Sequence, residues 1–204
     1  MKANDTIYET LCEYTKALTV ALGYRDTMTQ LHSERVGFLS EELGIKCGLS
    51  DEDIVILKIA ATFHDIGKIG IPDPVLLKPG KFDAKEWEVM KNHPQIGADI
   101  MQSIELEGAK VAARVIRCHH ENYDGSGYPD GLSGEEISLL SRIITIADAY
   151  DAMAMTRTYH QAKSHDQIMG IIHNETGKKF DPELIAIFNE LIETSQHKSK
   201  VVSE

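Results

Sequence analysis

The sequence predicts an all-α fold that forms a single helical domain. Apolar residues recur at helical spacing through most of the 204 residues, and capping residues, glycines and prolines divide this pattern into segments. Runs that alternate apolar and polar residues, as strands do, are almost absent. The length suits one well-packed domain or two small ones. Because neither an internal repeat nor a long linker divides the chain, we expect one domain.

The first two helices are predicted from apolar periodicity alone. Residues 5–23 carry apolar side chains at helical spacing and end at Gly23. A second helix is predicted over 28–43, with Gly44 as its stop. The first of these helices is a candidate dimer surface, although a helix that faces the core would show the same apolar stripe.

The third helix is predicted to lie deep in the core. Ser50 is its expected N-cap, Asp53 follows three residues later, and the segment IVILKIAATF that continues the helix is nearly all apolar. Residues 70–82 hold three of the six prolines and are therefore expected to form a loop.

The remaining helices are predicted from caps and breakers. Asp83 with Glu86 indicates a capped helix to about residue 92, and Pro94 suits the first turn of the next one. A loop is expected over 121–135, and a polar, disordered tail over 195–204. Further helices are expected over 107–119, 138–154, 164–174 and 182–195.

Composition excludes several classes of protein. The net charge of −11 argues against binding to a nucleic-acid polymer, although bound metal ions could reverse the sign locally for a small phosphate-bearing ligand. No apolar run approaches the roughly 18 to 20 residues that span a bilayer, and the N-terminus lacks a secretory h-region. Cys12, Cys47 and Cys118 are too few for a disulfide framework. We therefore expect a cytoplasmic protein with reduced thiols and no membrane association.

The pair His64-Asp65 draws attention because it ends the most apolar helix of the chain. A buried imidazole and carboxylate without partners would cost several kcal/mol, so they must pair with another group or bind a metal ion. The same argument applies to Asp148, which lies among isoleucines and alanines. A structural salt bridge from Asp148 to Arg142 or Arg35 is the alternative explanation. A second pair, His165-Asp166, lies in a polar segment and is interpreted as the start of a helix.

Considered together, five histidines and two aspartates from separate helix ends or helix faces predict a metal site. Adjacent histidines on a helix diverge by about 100°, so His119 and His120 can share a site only if it is broad, as two ions bridged by Asp65 would make it. Imidazole and carboxylate ligands without thiolate suit Fe, Mn, Zn, Ni or Co. The candidate ligands are His32, His64, Asp65, His93, His119, His120 and Asp148.

Long motifs in order along the chain resemble the HD-GYP domain, a subgroup of the HD-domain metal-dependent phosphohydrolases. The resemblance covers about residues 25–190, so we expect a phosphohydrolase domain over 25–194, preceded by an N-terminal helix within 1–24. The matching segments are HSERV, HDIGKIGIPD, LKPGKF, NHPQIG, HHENYDGSGYPDGLSGEEI, ADAYDAM and KFDP.

The resemblance implies an all-helical domain that holds two or three metal ions, often Fe or Mn, and hydrolyses cyclic di-GMP to pGpG and often on to GMP. Asp65 would bridge two ions, and Lys68 would hold the phosphate or protonate the leaving oxygen; the alternative for Lys68 is a solvated loop residue. By the same resemblance, the first ion would be held by His32, His64, Asp65 and Asp148, and the second by Asp65, His93, His119 and His120.

The resemblance also implies substrate contacts. Gly127, Tyr128 and Pro129 would form a substrate loop, and Arg157 would face the ligand. Met28 stands where members with three ions carry a glutamate, which favours two ions here. The chain also departs from many members at Thr158 and His160, where they have Pro and a basic residue, and this places the cyclic di-GMP preference in question.

Three functional hypotheses follow from the residues and the resemblance. The first is a cyclic di-GMP phosphodiesterase, and the second is a phosphodiesterase for another cyclic dinucleotide, for which the same metal ions would serve. The third is a weakly active regulator that binds ligand or partner proteins, although such members usually lose metal ligands and none is missing here. A homodimer is a further possibility, as is an upstream sensory or receiver module if the chain is part of a longer protein.

Overall fold

The computed structural model describes residues 27–155 and 161–201, together with Thr10, Val20, Gly23 and Tyr24. The helix expected over 5–23 therefore lies almost entirely outside the described residues. The regular elements of the described ranges are helices. Within these ranges, β-pairing is limited to an isolated bridge between Thr176 and Phe180. The helices are α1 Thr27–Lys46, α2 Asp51–Phe63, α3 Asp73–Leu76, α4 Ala84–Met90, α5 His93–Gln102, α6 Glu107–Arg117, α7 Leu139–Ala154, α8 His165–Asn174 and α9 Pro182–Thr194, with 3-10 helices at Ile66–Gly70 and Gly134–Glu136.

The caps that predict the helix starts are confirmed. Ser50 accepts a hydrogen bond from the backbone N–H of Asp53 at the start of α2. Asp83 and Glu86 form a reciprocal capping box at the start of α4. These side chains accept hydrogen bonds from backbone N–H groups that the start of a helix leaves without a partner. The boundaries can therefore be predicted from the residues next to them.

Gly44 does not end the first described helix, contrary to the prediction. A Cβ atom at Gly44 would lie 2.7 Å from Cδ2 of Leu57 on α2 and 2.9 Å from Cδ1 of Ile54. The glycine therefore permits close packing of α1 on α2, and α1 continues to Lys46. The helix is followed instead by Gly48, whose φ of 74° is readily adopted by glycine at a helix C-terminus.

The core lies where α1, α2, α6 and α7 meet. Helix α1 packs on α2 and α7, α6 packs on α2 and α5, and the 3-10 helix Ile66–Gly70 packs on α5. Gly67 makes this last contact possible, because a Cβ atom there would lie 1.9 Å from the carbonyl oxygen of His93. The apolar helix α2 is central, as its sequence predicts, and its buried residues are Ile56, Leu57, Ile59, Ala60, Ala61 and Phe63.

The last described residues contact the helical domain. Ser195 Oγ donates to Oε2 of Glu42 on α1 at 2.7 Å, and the Ser199 backbone N–H donates to the hydroxyl of Tyr150 at 3.0 Å. These bonds join residues 195–201, part of the segment expected to be a disordered tail, to α1 and α7. Within the described ranges, none of the helices combines the length and the apolar character needed to cross a lipid bilayer.

Candidate metal centre

The fold brings all seven predicted ligands together from five places in the chain. They lie in the second turn of α1, at the end of α2, at the first residue of α5, in the turn after α6 and in the third turn of α7. Ring centroids of neighbouring histidines are 5.4 Å apart for His32 and His64, 5.1 Å for His64 and His119, and 5.0 Å for His93 and His120. Three helix ends and the faces of two helices therefore converge on one centre.

The two adjacent histidines do not diverge, contrary to the argument from helical geometry. Helix α6 ends at Arg117, so His119 and His120 lie in the turn that follows it. Their ring centroids are 4.0 Å apart with an interplanar angle of 42°. Both rings can therefore face the same centre without the wide separation that a helix would impose.

The candidate ligand atoms form three groups, each compact enough to hold one metal ion. Within each group all ligand atoms lie within 4.8 Å of one another. Asp65 belongs to the middle group. This group shares His64 with one of the other two groups and His119 with the other. The groups are His32, His64 and Asp148; His64, Asp65 and His119; and His93, His119 and His120.

Three of the imidazoles are held in orientation by backbone carbonyl groups. Nδ1 of His64 donates to the carbonyl oxygen of Ala61 at 2.7 Å. Nδ1 of His93 and of His119 make the same kind of bond to the carbonyl three residues earlier, at 2.9 and 2.6 Å. Because a carbonyl only accepts, Nδ1 carries the proton and Nε2 keeps its lone pair.

The Nε2 atoms of these three histidines are buried and have no hydrogen-bond partner within the described part of the chain. Buried polar atoms without a partner are rare, and a lone pair that faces other ligand atoms is what a bound cation requires. The donor set of imidazole nitrogen and carboxylate oxygen therefore fits a divalent transition metal ion.

His32 is oriented differently, by a carboxylate. Nδ1 of His32 lies 2.7 Å from Oδ2 of Asp151, and Nε2 lies 3.0 Å from Oδ1 of Asp148. Arg35 binds the same Asp151 through two bonds of 2.7 and 3.0 Å. The alternative salt bridge from Asp148 to an arginine is therefore wrong, since Arg35 pairs with Asp151 and Arg142 pairs with Asp181.

The surroundings that the protein itself provides keep most of the imidazoles of the centre neutral. Burial, together with neighbouring histidines, lowers the pKa of His120 to about 3, and burial lowers that of His93 to about 4. His32 is the exception: burial disfavours its charge, but hydrogen bonds to Asp148 and Asp151 outweigh burial and raise its pKa to about 9. A metal ion at Nε2 of His32 would have to displace that proton.

Lys68 lies beside the candidate bridging carboxylate. The 3-10 helix that follows Asp65 carries Lys68, and its Nζ donates to Oδ2 of Asp65 at 2.6 Å. Burial would raise the pKa of Asp65, but the charge of Lys68 and the nearby imidazoles hold it well below its usual range. Asp65 is therefore ionised at neutral pH, and the Lys68 ammonium lies at the edge of the centre.

The glycine-rich loop places an aromatic ring against the centre. The ring centroids of Tyr128 and His120 are 5.0 Å apart, and the backbone N–H of Tyr128 donates to the His120 carbonyl. Gly127 permits this path, since a Cβ atom there would lie 2.2 Å from the backbone nitrogen of Asn122. Asp124 braces the loop by accepting from the N–H and hydroxyl of Ser126.

Arg157, Thr158 and His160 fall outside the described residues, and Met28 lies in α1, one turn before His32. The second His-Asp pair starts α8, as predicted, but His165 is more than a helix start. Its ring bonds the Tyr150 hydroxyl and the Glu193 carboxylate, both at 2.9 Å, and His165 belongs to none of the three ligand groups.

Sequence reasoning missed two features of the centre. Asp151 was not assigned a role, although its position one turn after Asp148 on α7 puts both carboxylates on one helix face. Trp87 of α4 was not singled out, yet its ring centroid lies 5.9 Å from that of Tyr128. No local signal marks Trp87, because its contact with the loop joins distant segments.

The chain resembles known proteins over most of its length. It is 42% identical over 168 residues to the cyclic di-GMP phosphodiesterase response regulator RpfG of Xanthomonas campestris pv. campestris, covering 82% of this chain and 44% of that protein. It is 36% identical over 182 residues to the 3'3'-cGAMP-specific phosphodiesterase 2 of Vibrio cholerae, covering 89% of this chain and 35% of that protein. The chain thus spans less than half the length of these two curated relatives.

A solved structure shares the fold. The cyclic GMP-AMP specific phosphodiesterase of V. cholerae aligns with a TM-score of 0.68 at 22% sequence identity, covering 92% of this chain and 50% of that one. A family model described as HD domain matches residues 17–184, which include all seven candidate ligands. The chain belongs to the HD domain family.

Proposed function

We propose that this chain is a metal-dependent phosphodiesterase that hydrolyses cyclic di-GMP to the linear pGpG, with GMP as the product of a second cleavage. The observation that carries the proposal is the set of ligand groups on either side of Asp65, with the Lys68 ammonium at its edge. The name of the relative RpfG supports cyclic di-GMP as the substrate.

We propose two divalent metal ions as the cofactors, with Fe or Mn preferred over Zn, Ni or Co. The donor set supports this choice, and the outer groups of ligands support two positions on either side of Asp65. Met28, at the position where three-ion HD-GYP members have a glutamate, supports two ions. When bound, such ions lower the pKa of water and neutralise charge on phosphoryl oxygens.

The side chains around the ions would hold and orient the substrate. Lys68 would bind a phosphoryl oxygen or give a proton to the departing 3′ oxygen, because its ammonium lies 2.6 Å from the proposed bridging carboxylate. Tyr128 and Pro129, with the close turn at Gly127, would form the wall of the substrate site. Arg157 is proposed as a further phosphate or guanine contact from its sequence position alone.

A second candidate is hydrolysis of a mixed cyclic dinucleotide. The relative from V. cholerae named as 3'3'-cGAMP-specific supports it, at 36% identity. The same ligand groups would serve either substrate, since both contain the same phosphodiester. A weakly active regulator is less well supported, because every proposed metal ligand is present in the sequence.

The test is anaerobic purification and metal analysis, followed by incubation with cyclic di-GMP in Mn(II) or Fe(II) and chromatography of the products. We expect pGpG or GMP, about two ions per chain, and loss of turnover and metal in His64→Ala and Asp65→Ala. Asp166→Ala, in the second His-Asp pair, is the matched control and should keep both. Full activity of the His64 and Asp65 variants would refute the centre, and intact cyclic di-GMP with hydrolysed cGAMP would establish the second candidate.

A further inference from the structure

A row of aromatic side chains runs from the metal centre to the protein surface. We call this row, which consists of Tyr128, Trp87 and Phe82, the aromatic row. Tyr128 contacts the His120 ring, Trp87 meets Tyr128 nearly edge to face at 82°, and Phe82 lies 6.4 Å from Trp87 by centroids at 23°. Trp87 is therefore two ring contacts away from a proposed metal ligand.

Trp87 is exposed to a degree that core packing does not require. It is the only tryptophan in the chain, and 42% of its surface is accessible. Tryptophan usually buries most of its large apolar surface. In α4, however, the buried residue is Met90 and not Trp87. One explanation is purely structural, namely that Trp87 fastens the loop that carries Phe82. The other is that its free face receives a ligand.

The proposed substrate has a chemistry that fits this face. A cyclic dinucleotide carries its purine bases one ribose away from each phosphodiester. When a phosphodiester lies at the centre beside His120, the base of the adjoining nucleotide can extend along the wall formed by Tyr128. In that direction the base reaches Trp87. Stacking on an aromatic ring tolerates any base, because each has a π-face.

We propose that the Trp87 indole is a stacking platform for one purine base of the cyclic dinucleotide, an inference that rests on the proposed function. The contact contributes affinity without base selectivity, so it serves cyclic di-GMP and 3'3'-cGAMP alike. Trp87 is remote from the reacting atoms, and its removal therefore weakens substrate binding more than the chemical step.

Two measurements on the metal-loaded protein test this inference. In Trp87→Ala we expect KM to rise about tenfold for both dinucleotides, with kcat within about twofold, and Trp87→Phe should restore most of the loss. Leu77→Ala is the matched control, since Leu77 is 53% exposed near the same loop, and its KM should match the unsubstituted protein. Because Trp87 is the single tryptophan, stopped-flow mixing with cyclic di-GMP should quench the protein's tryptophan fluorescence on binding.

The outcomes separate this inference from the proposed function. Hydrolysis with an unchanged KM in Trp87→Ala and no quenching would overturn the platform and leave the enzyme proposal intact. Quenching by cyclic di-GMP without hydrolysis would support the platform and refute the enzyme proposal. A structural role alone would lower the melting temperature of Trp87→Ala without quenching in the unsubstituted protein, and this too would overturn the inference.

Discussion

Nδ1 of His32 donates a hydrogen bond of 2.7 Å to Oδ2 of Asp151, which lies 119 residues further along the chain. His64, His93 and His119 use backbone carbonyls for the same purpose, so His32 is the histidine of this set that is oriented by a charged partner. Arg35 in turn holds Asp151 through two bonds. This arrangement directs Nε2 of His32 toward Asp148 and the centre.

Asp151→Asn is expected to weaken metal binding on the His32 side of the centre. An amide has one acceptor oxygen in place of two, so at least one of the three N–H groups that His32 and Arg35 direct at Asp151 would face its NH2 group. Loss of such an outer partner typically lowers metal affinity about 10- to 100-fold. Metal analysis and titration of the metal-free protein would check this, with an expected fall from about two bound ions toward one.

Asp166→Asn is the control for the Asp151 variant, because Asp166 is exposed at the start of α8. It should bind metal as the unsubstituted protein does. If Asp151→Asn kept the same affinity and stoichiometry while folded by circular dichroism, the carboxylate would not orient His32 as a ligand.

Much of the fold and centre could be predicted because the signals are local. The caps at Ser50 and Asp83 lie next to the helices they start, and the apolar run of α2 identifies a core helix from its own residues. Imidazoles and carboxylates that end or interrupt such apolar runs are costly to bury without partners, so His64 and Asp148 could be singled out without the fold.

The features that escaped prediction depend on contacts between distant segments. Gly44 has the sequence of a helix stop, but the approach of Leu57 makes it a packing position. The turn that follows α6, rather than a helix, brings His119 and His120 together, and α6 ends only two residues earlier. The pairing of Arg35 with Asp151 instead of Asp148 likewise depends on how α1 crosses α7.

Gly67→Ala is expected to destabilise the protein and disturb the centre together. Its Cβ atom would lie 1.9 Å from the His93 carbonyl oxygen and 2.5 Å from the Gly97 nitrogen, so α5 would have to move away. Overpacking of this kind costs about 1–3 kcal/mol, and the displaced helix carries His93. Urea unfolding and metal titration would measure the two effects.

Gly170→Ala is the matched control for the glycine substitution. Gly170 is exposed in the middle of α8, and a Cβ atom there would meet nothing within 4 Å. Since alanine favours a helix interior, this variant should gain about 0.5–1 kcal/mol and keep its metal. A Gly67→Ala protein as stable as Gly170→Ala would contradict the close approach of the 3-10 helix to α5.

Removal of metal is expected to lower the melting temperature. An ion that binds the native chain alone stabilises it by about 2.7 kcal/mol at 100 times its dissociation constant. The buried Nε2 atoms of His64, His93 and His119 are the groups that lose a partner on chelation. Calorimetry with and without chelator would measure the shift, which should shrink in His93→Ala, because one of the two proposed ions loses a ligand, and persist in full in His173→Ala, where the substituted ring is exposed. Equal shifts in both variants would indicate that the chelator acts elsewhere.

Lys68→Met is expected to slow hydrolysis without loss of metal, which distinguishes a substrate contact from a structural one. The ammonium lies 2.6 Å from Asp65 Oδ2 and competes with any cation for that carboxylate, so its removal should leave metal affinity unchanged or tighter. A donor aimed at charge that develops on a phosphoryl or leaving oxygen is typically worth about 10²- to 10³-fold in kcat. Metal titration and kcat measured on the same preparation would test whether kcat falls while metal affinity does not. Lys85→Met is the control, because Lys85 is exposed on α4. Weaker metal binding in Lys68→Met would show that Lys68 supports the centre, and an unchanged kcat would remove it from the chemistry.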